Sequence, residues 1–187
     1  MKLYIIRHGE TFENASNRLQ GRIDSNLTEE GKKQALEVRN YFVDKEVDLI
    51  VSSPLKRCVE TANIISNDKI KIIYDDRLLG RDHGEFTGMP KEEVNFDDYW
   101  NYYKNIKYER AENVVDLFNR VKKLIEELKE EYKDKKIIIV THSGVIRIMY
   151  YYFNGIPDDG LLGEVEIKNC SIFEYDVWGG KNENIIC

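Results

Sequence analysis

Leu3-Tyr4-Ile5-Ile6 runs straight into Arg7-His8-Gly9-Glu10-Thr11, and the change of chemistry at Arg7 decides how the rest of the chain is read. A short apolar run that breaks in this way is a buried strand carrying a histidine at its own end. Ligands of α/β proteins are held outside the carboxyl ends of strands, and a glycine after the histidine lets backbone approach a ligand closely. The device recurs where Ile137-Ile138-Ile139-Val140 passes into Thr141-His142-Ser143-Gly144. Two of the three histidines therefore sit at predicted strand tips.

Between these tips the chain alternates. Thr28-Glu29-Glu30 reads as an N-cap with an acidic first turn, opening a helix through Ala35, Leu36, Val38, Tyr41 and Phe42. Leu49-Ile50-Val51 is a short buried strand, Ser52-Ser53-Pro54 a turn, and the next helix carries Lys56, Arg57, Thr61 and Ala62. Residues 70–74 read as a third strand and 75–89 as a loop rich in glycine and charge. Amphipathic helices are expected over 91–107 and 114–132, and a buried helix over 145–153, closed by Asn154-Gly155 and Pro157. Val165-Glu166-Ile167 and Ile172-Phe173-Glu174-Tyr175 read as a closing pair of strands. Such alternation predicts an α/β fold, a three-layer αβα sandwich around a mostly parallel sheet.

With 187 residues, 42% of them hydrophobic, the chain fits a single domain over 1–187. No apolar stretch approaches the roughly 20 residues of a membrane helix, and no signal-peptide pattern precedes the first strand, so a soluble, cytoplasmic protein is expected. Cys58, Cys170 and Cys187 are scattered, without metal-ligand spacing, and are expected to be reduced thiols. A net charge of −6 argues against nucleic acid or anionic membrane as partners. The alternating charges of 126–136 are a solvated helix face and its exit turn. There is no HExxH, no His and Asp cluster and no Walker-type loop, so no metal or cofactor is expected.

Arg7-His8-Gly9-Glu10-Thr11 with Asn14, Leu19-Gln20-Gly21-Arg22, Leu27-Thr28-Glu29-Glu30-Gly31, Ser53-Pro54-Leu55-Lys56-Arg57 with Glu60-Thr61-Ala62, and Thr141-His142-Ser143-Gly144 follow in order. Together, from Leu3 to about Arg147, they resemble the phosphoglycerate-mutase-like branch of the histidine phosphatase superfamily. The resemblance implies that fold, and His8 as a nucleophile that accepts a phosphoryl group. The residue type suits the role: a neutral imidazole is available near pH 7, and its second nitrogen can be fixed by donating to a carbonyl or carboxylate. Phosphoryl transfer needs charge neutralisation, which Arg7 and Arg57 supply as planar forks and His142 supplements if protonated. Arg57 has the alternative of a surface ion pair with Glu60. The resemblance extends phosphate or substrate contact to Gly9, Glu10, Thr11, Asn14, Gln20, Gly21 and Ser143, although Asn and Gly are also common turn residues. Arg18 and Arg22 either extend the positive pocket or are solvated loop residues.

One position departs from the family. Aligned on Gly84 and Gly88, the glutamate that usually protonates the leaving oxygen is Gly80. Asp82, the nearer, or Glu85 must then replace it, with a raised pKa to hold its proton at neutral pH. The alternative is that both carboxylates pair with Arg81 or solvent, and a lone loop histidine such as His83 is more often incidental. Residues 89–113, where mutases carry a longer basic insertion, are short and aromatic, with Tyr99, Trp100, Tyr102 and Tyr103. An open mouth of that kind fits a phosphatase, although half of these rings are expected to be packing. The expectation is a metal-independent phosphomonoesterase acting through phosphohistidine on a small phosphorylated metabolite. The alternatives are a phosphoglycerate mutase and a catalytically weak phosphate-binding protein. The substrate and the oligomeric state stay open.

Overall fold

In β1 (Lys2–Arg7) successive side chains face opposite ways, so Leu3 and Ile5 enter one apolar layer while Tyr4 and Ile6 enter the other. β4 (Lys136–Thr141) divides in the same manner, Ile137 and Ile139 against Ile138 and Val140. So does β2 (Leu49–Ser52), with Leu49 and Val51 opposed to Ile50. Strands buried on both faces need helices on both. α5 (Val114–Glu131) and α6 (Ser143–Asn154) cover the first face through Leu117, Val121, Leu124, Val145 and Met149. α2 (Glu29–Tyr41) and α3 (Lys56–Ser66) cover the second through Ala35, Val38, Cys58, Ala62 and Ile65. The result is the αβα sandwich that the alternation predicts.

The computed structural model describes residues 1–163 and 165–178, and the backbone of 182–185. With β3 (Ile72–Tyr74), β5 (Ile172–Asp176) and β6 (Asn182–Ile185), the sheet order is β3-β2-β4-β1-β5-β6. The first four in that order are parallel, and β5 and β6 close the edge antiparallel. Because β1 and β4 are parallel neighbours in a register that sets Arg7 opposite Thr141, both histidines leave the sheet at one edge, side by side. β2 flanks β4 and brings Ser53 to the same edge, where its N–H donates to the Val140 carbonyl at 3.0 Å.

Three expected elements differ. The helix over 91–107 is replaced by a 3-10 turn at Lys91–Glu93 and a single helical turn, α4 (Phe96–Tyr99). Asn101 ends it: its side-chain oxygen accepts from the N–H groups of Tyr103 and Lys104 at 3.1 and 2.9 Å, and Asn105 follows in the left-handed region. Local side-chain bonding of this type competes with a helix. Residues 165–167 form no strand, because the Ile167 carbonyl is taken by Arg7 and the partner of β5 is β6. The third strand starts at Ile72 rather than at residue 70. Cys58 and Cys170 are buried, and Cys187 lies outside the described residues. No described helix is long and apolar enough to cross a membrane.

Candidate active site

His8, just past the end of β1, is buried, with Nδ1 2.8 Å from its neighbour's carbonyl, Gly9 O. A carbonyl can only accept, so Nδ1 carries the proton and the Nε2 lone pair is left free. Burial first, then Arg57 and Arg7, hold the His8 pKa well below the usual imidazole value, so the ring is neutral. Gly9 is demanded by packing: a Cβ there would lie 2.4 Å from the Gly31 carbonyl in the first turn of α2. Gly31 is needed for the same approach, since its own Cβ would meet the Glu10 carbonyl at 2.3 Å.

His142 occupies the corresponding place after β4, with ring centroids 5.2 Å from His8. Its Nδ1 faces Arg57 Nε at 3.2 Å and Nη2 at 3.0 Å, and its Nε2 faces Ser53 Oγ at 2.9 Å. A guanidinium only donates, so Nδ1 accepts, Nε2 carries the proton, and His142 is neutral in this structure rather than cationic. Burial and Arg57 together push its pKa well down. Arg57 is held at the α3 start, donating also to the Gly21 carbonyl at 2.7 Å and the Ile23 carbonyl at 2.6 Å. It makes no pair with Glu60, whose carboxylate accepts from Leu27 N–H at 3.0 Å. Arg7 donates to the Ile167 carbonyl at 2.7 Å, keeps a buried Nε without a partner, and is pulled by burial to a pKa of about 10.

These four side chains line one cavity of about 220 Å³ together with Asn14, Gln20, Gly21 and Ser143. Asn14 uses Oδ1 to accept from Thr11 N–H at 3.3 Å and from Asn169 at 3.0 Å, which turns its amide donors away from both. Gln20 is tied to Glu13 at 3.1 Å and to Ser25. Other expected contacts lie off the wall. Gly9 packs on Gly31, Glu10 accepts from the Thr28 hydroxyl at 2.8 Å, and Thr11 caps the short helix α1 (Phe12–Ala15). Asp82 accepts from Gly84 N–H at 3.0 Å and faces Arg22 at 3.7 Å, while Glu85 accepts from Glu109 N–H at 3.1 Å. Neither carboxylate lines the cavity. Arg18 does line it, and Arg22 does not.

The family model described as "Histidine phosphatase superfamily (branch 1)" matches residues 3–185. The chain belongs to the histidine phosphatase superfamily. This histidine phosphatase is 33% identical over 163 residues to "Phosphoserine phosphatase 1" of Hydrogenobacter thermophilus, covering 83% of this chain and 77% of the relative. It is also 33% identical over 186 residues to "Uncharacterized phosphatase PhoE" of Bacillus subtilis, covering 97% and 93%. Among solved structures, "Bacillus stearothermophilus YhfR" superposes with a TM-score of 0.86 at 28% identity, over 99% of this chain and 95% of that one. The enzyme is a phosphatase with the phosphoglycerate-mutase-like fold.

Sequence reasoning missed part of the cavity wall. Arg81, Arg147, Lys91 and Phe96 line it unforeseen, beside Trp100, expected in the aromatic mouth, and His83, expected to be incidental. Arg147 had a readable signal, since it lies four residues after Ser143 and so shares the helix face that starts at the histidine tip. His83 is no bystander: its Nδ1 lies 2.7 Å from the Tyr99 hydroxyl, and burial next to Arg81 takes its pKa down to about 4.

Proposed function

We propose that this phosphatase transfers the phosphoryl group of a small phosphomonoester to Nε2 of His8 and then to water. The reading is carried by the bond from His8 Nδ1 to the Gly9 carbonyl at 2.8 Å, which presents an unprotonated Nε2 to a strongly basic cavity. The N–P bond forms as the ester P–O bond breaks and the leaving oxygen takes a proton from water, while Arg7 and Arg57 offset the charge spread over the equatorial oxygens. His142 holds the Arg57 fork through Nδ1 and keeps its own proton on Nε2, beside Ser53. Asn14 supplies amide donors, and Ser143 opens α6, a twelve-residue helix whose N-cap makes no side-chain bond, so its first amides favour an anion. Asp82 and Glu85, off the wall, have no part in this assignment. A cytoplasmic setting belongs to the proposal and is supported by the buried thiol of Cys58.

An aryl phosphate mixed with excess enzyme and examined at neutral pH by intact mass is expected to leave a phosphorylated protein, and His8→Ala to leave none. Turnover by His8→Ala at the wild-type rate would refute the covalent route. Turnover without added bisphosphoglycerate separates a phosphatase from a mutase.

A further inference from the structure

One side chain behind the cavity wall holds the backbone of the nucleophile and the side chain of a cavity donor at once. Asn169 donates from Nδ2 to the His8 carbonyl and to Asn14 Oδ1, both at 3.0 Å. It stands in a turn from Lys168 to Ser171 whose Ser171 N–H and hydroxyl both reach the Lys168 carbonyl, at 3.2 and 2.8 Å, while Cys170 takes the left-handed region at φ 57°. The turn is docked on the end of β1: Cys170 N–H donates to the Arg7 carbonyl at 3.0 Å, and Arg7 N–H to the Ser171 carbonyl at 3.4 Å. The Arg7 side chain is bound just before it, at the Ile167 carbonyl. Residues 167–171 therefore grip Arg7, His8 and Asn14 together.

This bonding fixes which way each amide faces. A backbone carbonyl only accepts, so Asn169 must turn its NH2 toward His8, and its two hydrogens are spent on the two acceptors. The Asn14 atom that meets the same NH2 must then be the oxygen, which leaves the Asn14 NH2 for the cavity that Asn14 lines. Thr11 favours this orientation more weakly: its N–H reaches Asn14 Oδ1 at 3.3 Å, and the return bond from Asn14 N–H to Thr11 Oγ1 is 3.4 Å. Turned over, the Asn14 side chain would present its oxygen to a phosphate and repel it, so one flip changes a donor into an acceptor.

We propose that Asn169 is a positioning residue for phosphate binding, locking the Asn14 amide in the orientation that gives its N–H groups to the phosphate. The proposal rests on the reading of Asn14 as a phosphate donor given above, and not on the covalent step. Without Asn169, the long bond from Thr11 N–H is what remains to oppose the flip among the described residues.

The test titrates inorganic phosphate calorimetrically into the full-length protein at fixed pH and salt. Asn14→Ala is expected to weaken binding about tenfold, the scale of a hydrogen bond to a charged group. Asn169→Leu, which keeps the shape and removes both donors without adding charge, is expected to weaken it by about threefold or more. Asn169→Ser, whose hydroxyl is shorter and carries one hydrogen, is expected to show the same loss and serves if the Leu variant does not fold. Joined to Asn14→Ala, either substitution is expected to add less than about twofold, because the two changes then remove one shared contact. On p-nitrophenyl phosphate the Asn169→Leu loss is expected in KM, with kcat held within about threefold. Unchanged phosphate affinity in both Asn169 variants, a double variant whose loss is the product of the singles, or a fall confined to kcat would overturn the proposal, and the last would assign Asn169 to the His8 carbonyl instead. Wild-type affinity in Asn14→Ala would overturn it together with the reading of Asn14 as a donor. Coupled losses in a protein that forms no phosphohistidine from an aryl phosphate would support the positioning role and sink the phosphatase chemistry.

Discussion

His8 and His142 leave neighbouring parallel strands at the same sheet edge, both buried, both neutral, their rings 5.2 Å apart. Their hydrogen bonds nevertheless give them opposite assignments. His8 spends only Nδ1, on a backbone carbonyl, and keeps a lone pair on Nε2. His142 spends both nitrogens, accepting from Arg57 and donating to Ser53. Position on the fold brings the two rings together, but the local donor and acceptor set decides which can attack phosphorus. The most direct way to break this contrast is to remove each ring in turn. His8→Ala is expected to lower kcat by about 10³-fold or more, the scale of losing a nucleophile. His142→Gln, which removes the ring that holds the Arg57 fork in place, is expected to cost about 10²-fold. Equal losses in single-turnover assays would dissolve the distinction.

Arg57 joins the two histidines electrostatically, since it lowers the pKa of both. Arg57→Lys replaces a fork that bridges His142, Gly21 and Ile23 by a single ammonium. A fall of about 10²-fold in kcat/KM is expected. Retention of wild-type activity would show that charge alone suffices at this position.

The paired strand tips were legible because they follow from local pattern. Apolar runs of four residues, a polar break and a glycine occur in contiguous sequence, and parallel pairing then brings the tips together. The caps at Thr28 and the start of α5 were legible for the same reason. The meeting of Arg81 and Arg147 at the Trp100 ring was not, because the three come from separate segments and are joined only through the loop 80–113. That loop is shaped by Asn101 and by side-chain to carbonyl bonds rather than by periodicity. The expected helix over 91–107 failed there as well.

A smaller effect tests the neutrality shared by the histidines. Burial lowers the pKa of His8, His142 and His83 in the folded protein, whereas the unfolded chain titrates each near 6.5. Above that pH neither state binds the proton. Below it the unfolded state takes up more protons, so stability falls as the pH drops, by up to about 1.4 kcal/mol per pH unit for each imidazole. Thermal unfolding is expected to show a lower Tm at pH 5.5 than at pH 7.5, and His83→Gln should reduce the difference by about a third, one of three such groups. A Tm independent of pH in that window would mean that the rings are protonated in the fold.

The smallest effect is expected from Asp82→Asn, and it bears on the position that departs from the family. A side chain at Gly80 is excluded by the same loop that Arg57 grips: its Cβ would stand 2.8 Å from the Gly21 carbonyl and 3.5 Å from His142 Cγ. The usual glutamate therefore cannot be accommodated beside His142 with this backbone. Asp82 does not compensate, because its carboxylate caps Gly84 and faces Arg22 away from the cavity wall. A general acid is worth about 10²–10⁴-fold with an alkyl leaving group. Asp82→Asn is accordingly expected to change kcat on an alkyl phosphate by less than about threefold, far below that range. A loss of about 10²-fold that vanishes with an aryl phosphate would instead return the proton transfer to Asp82. It would also require the 80–84 loop to turn that carboxylate inward when substrate binds, which the bond from Gly84 N–H opposes.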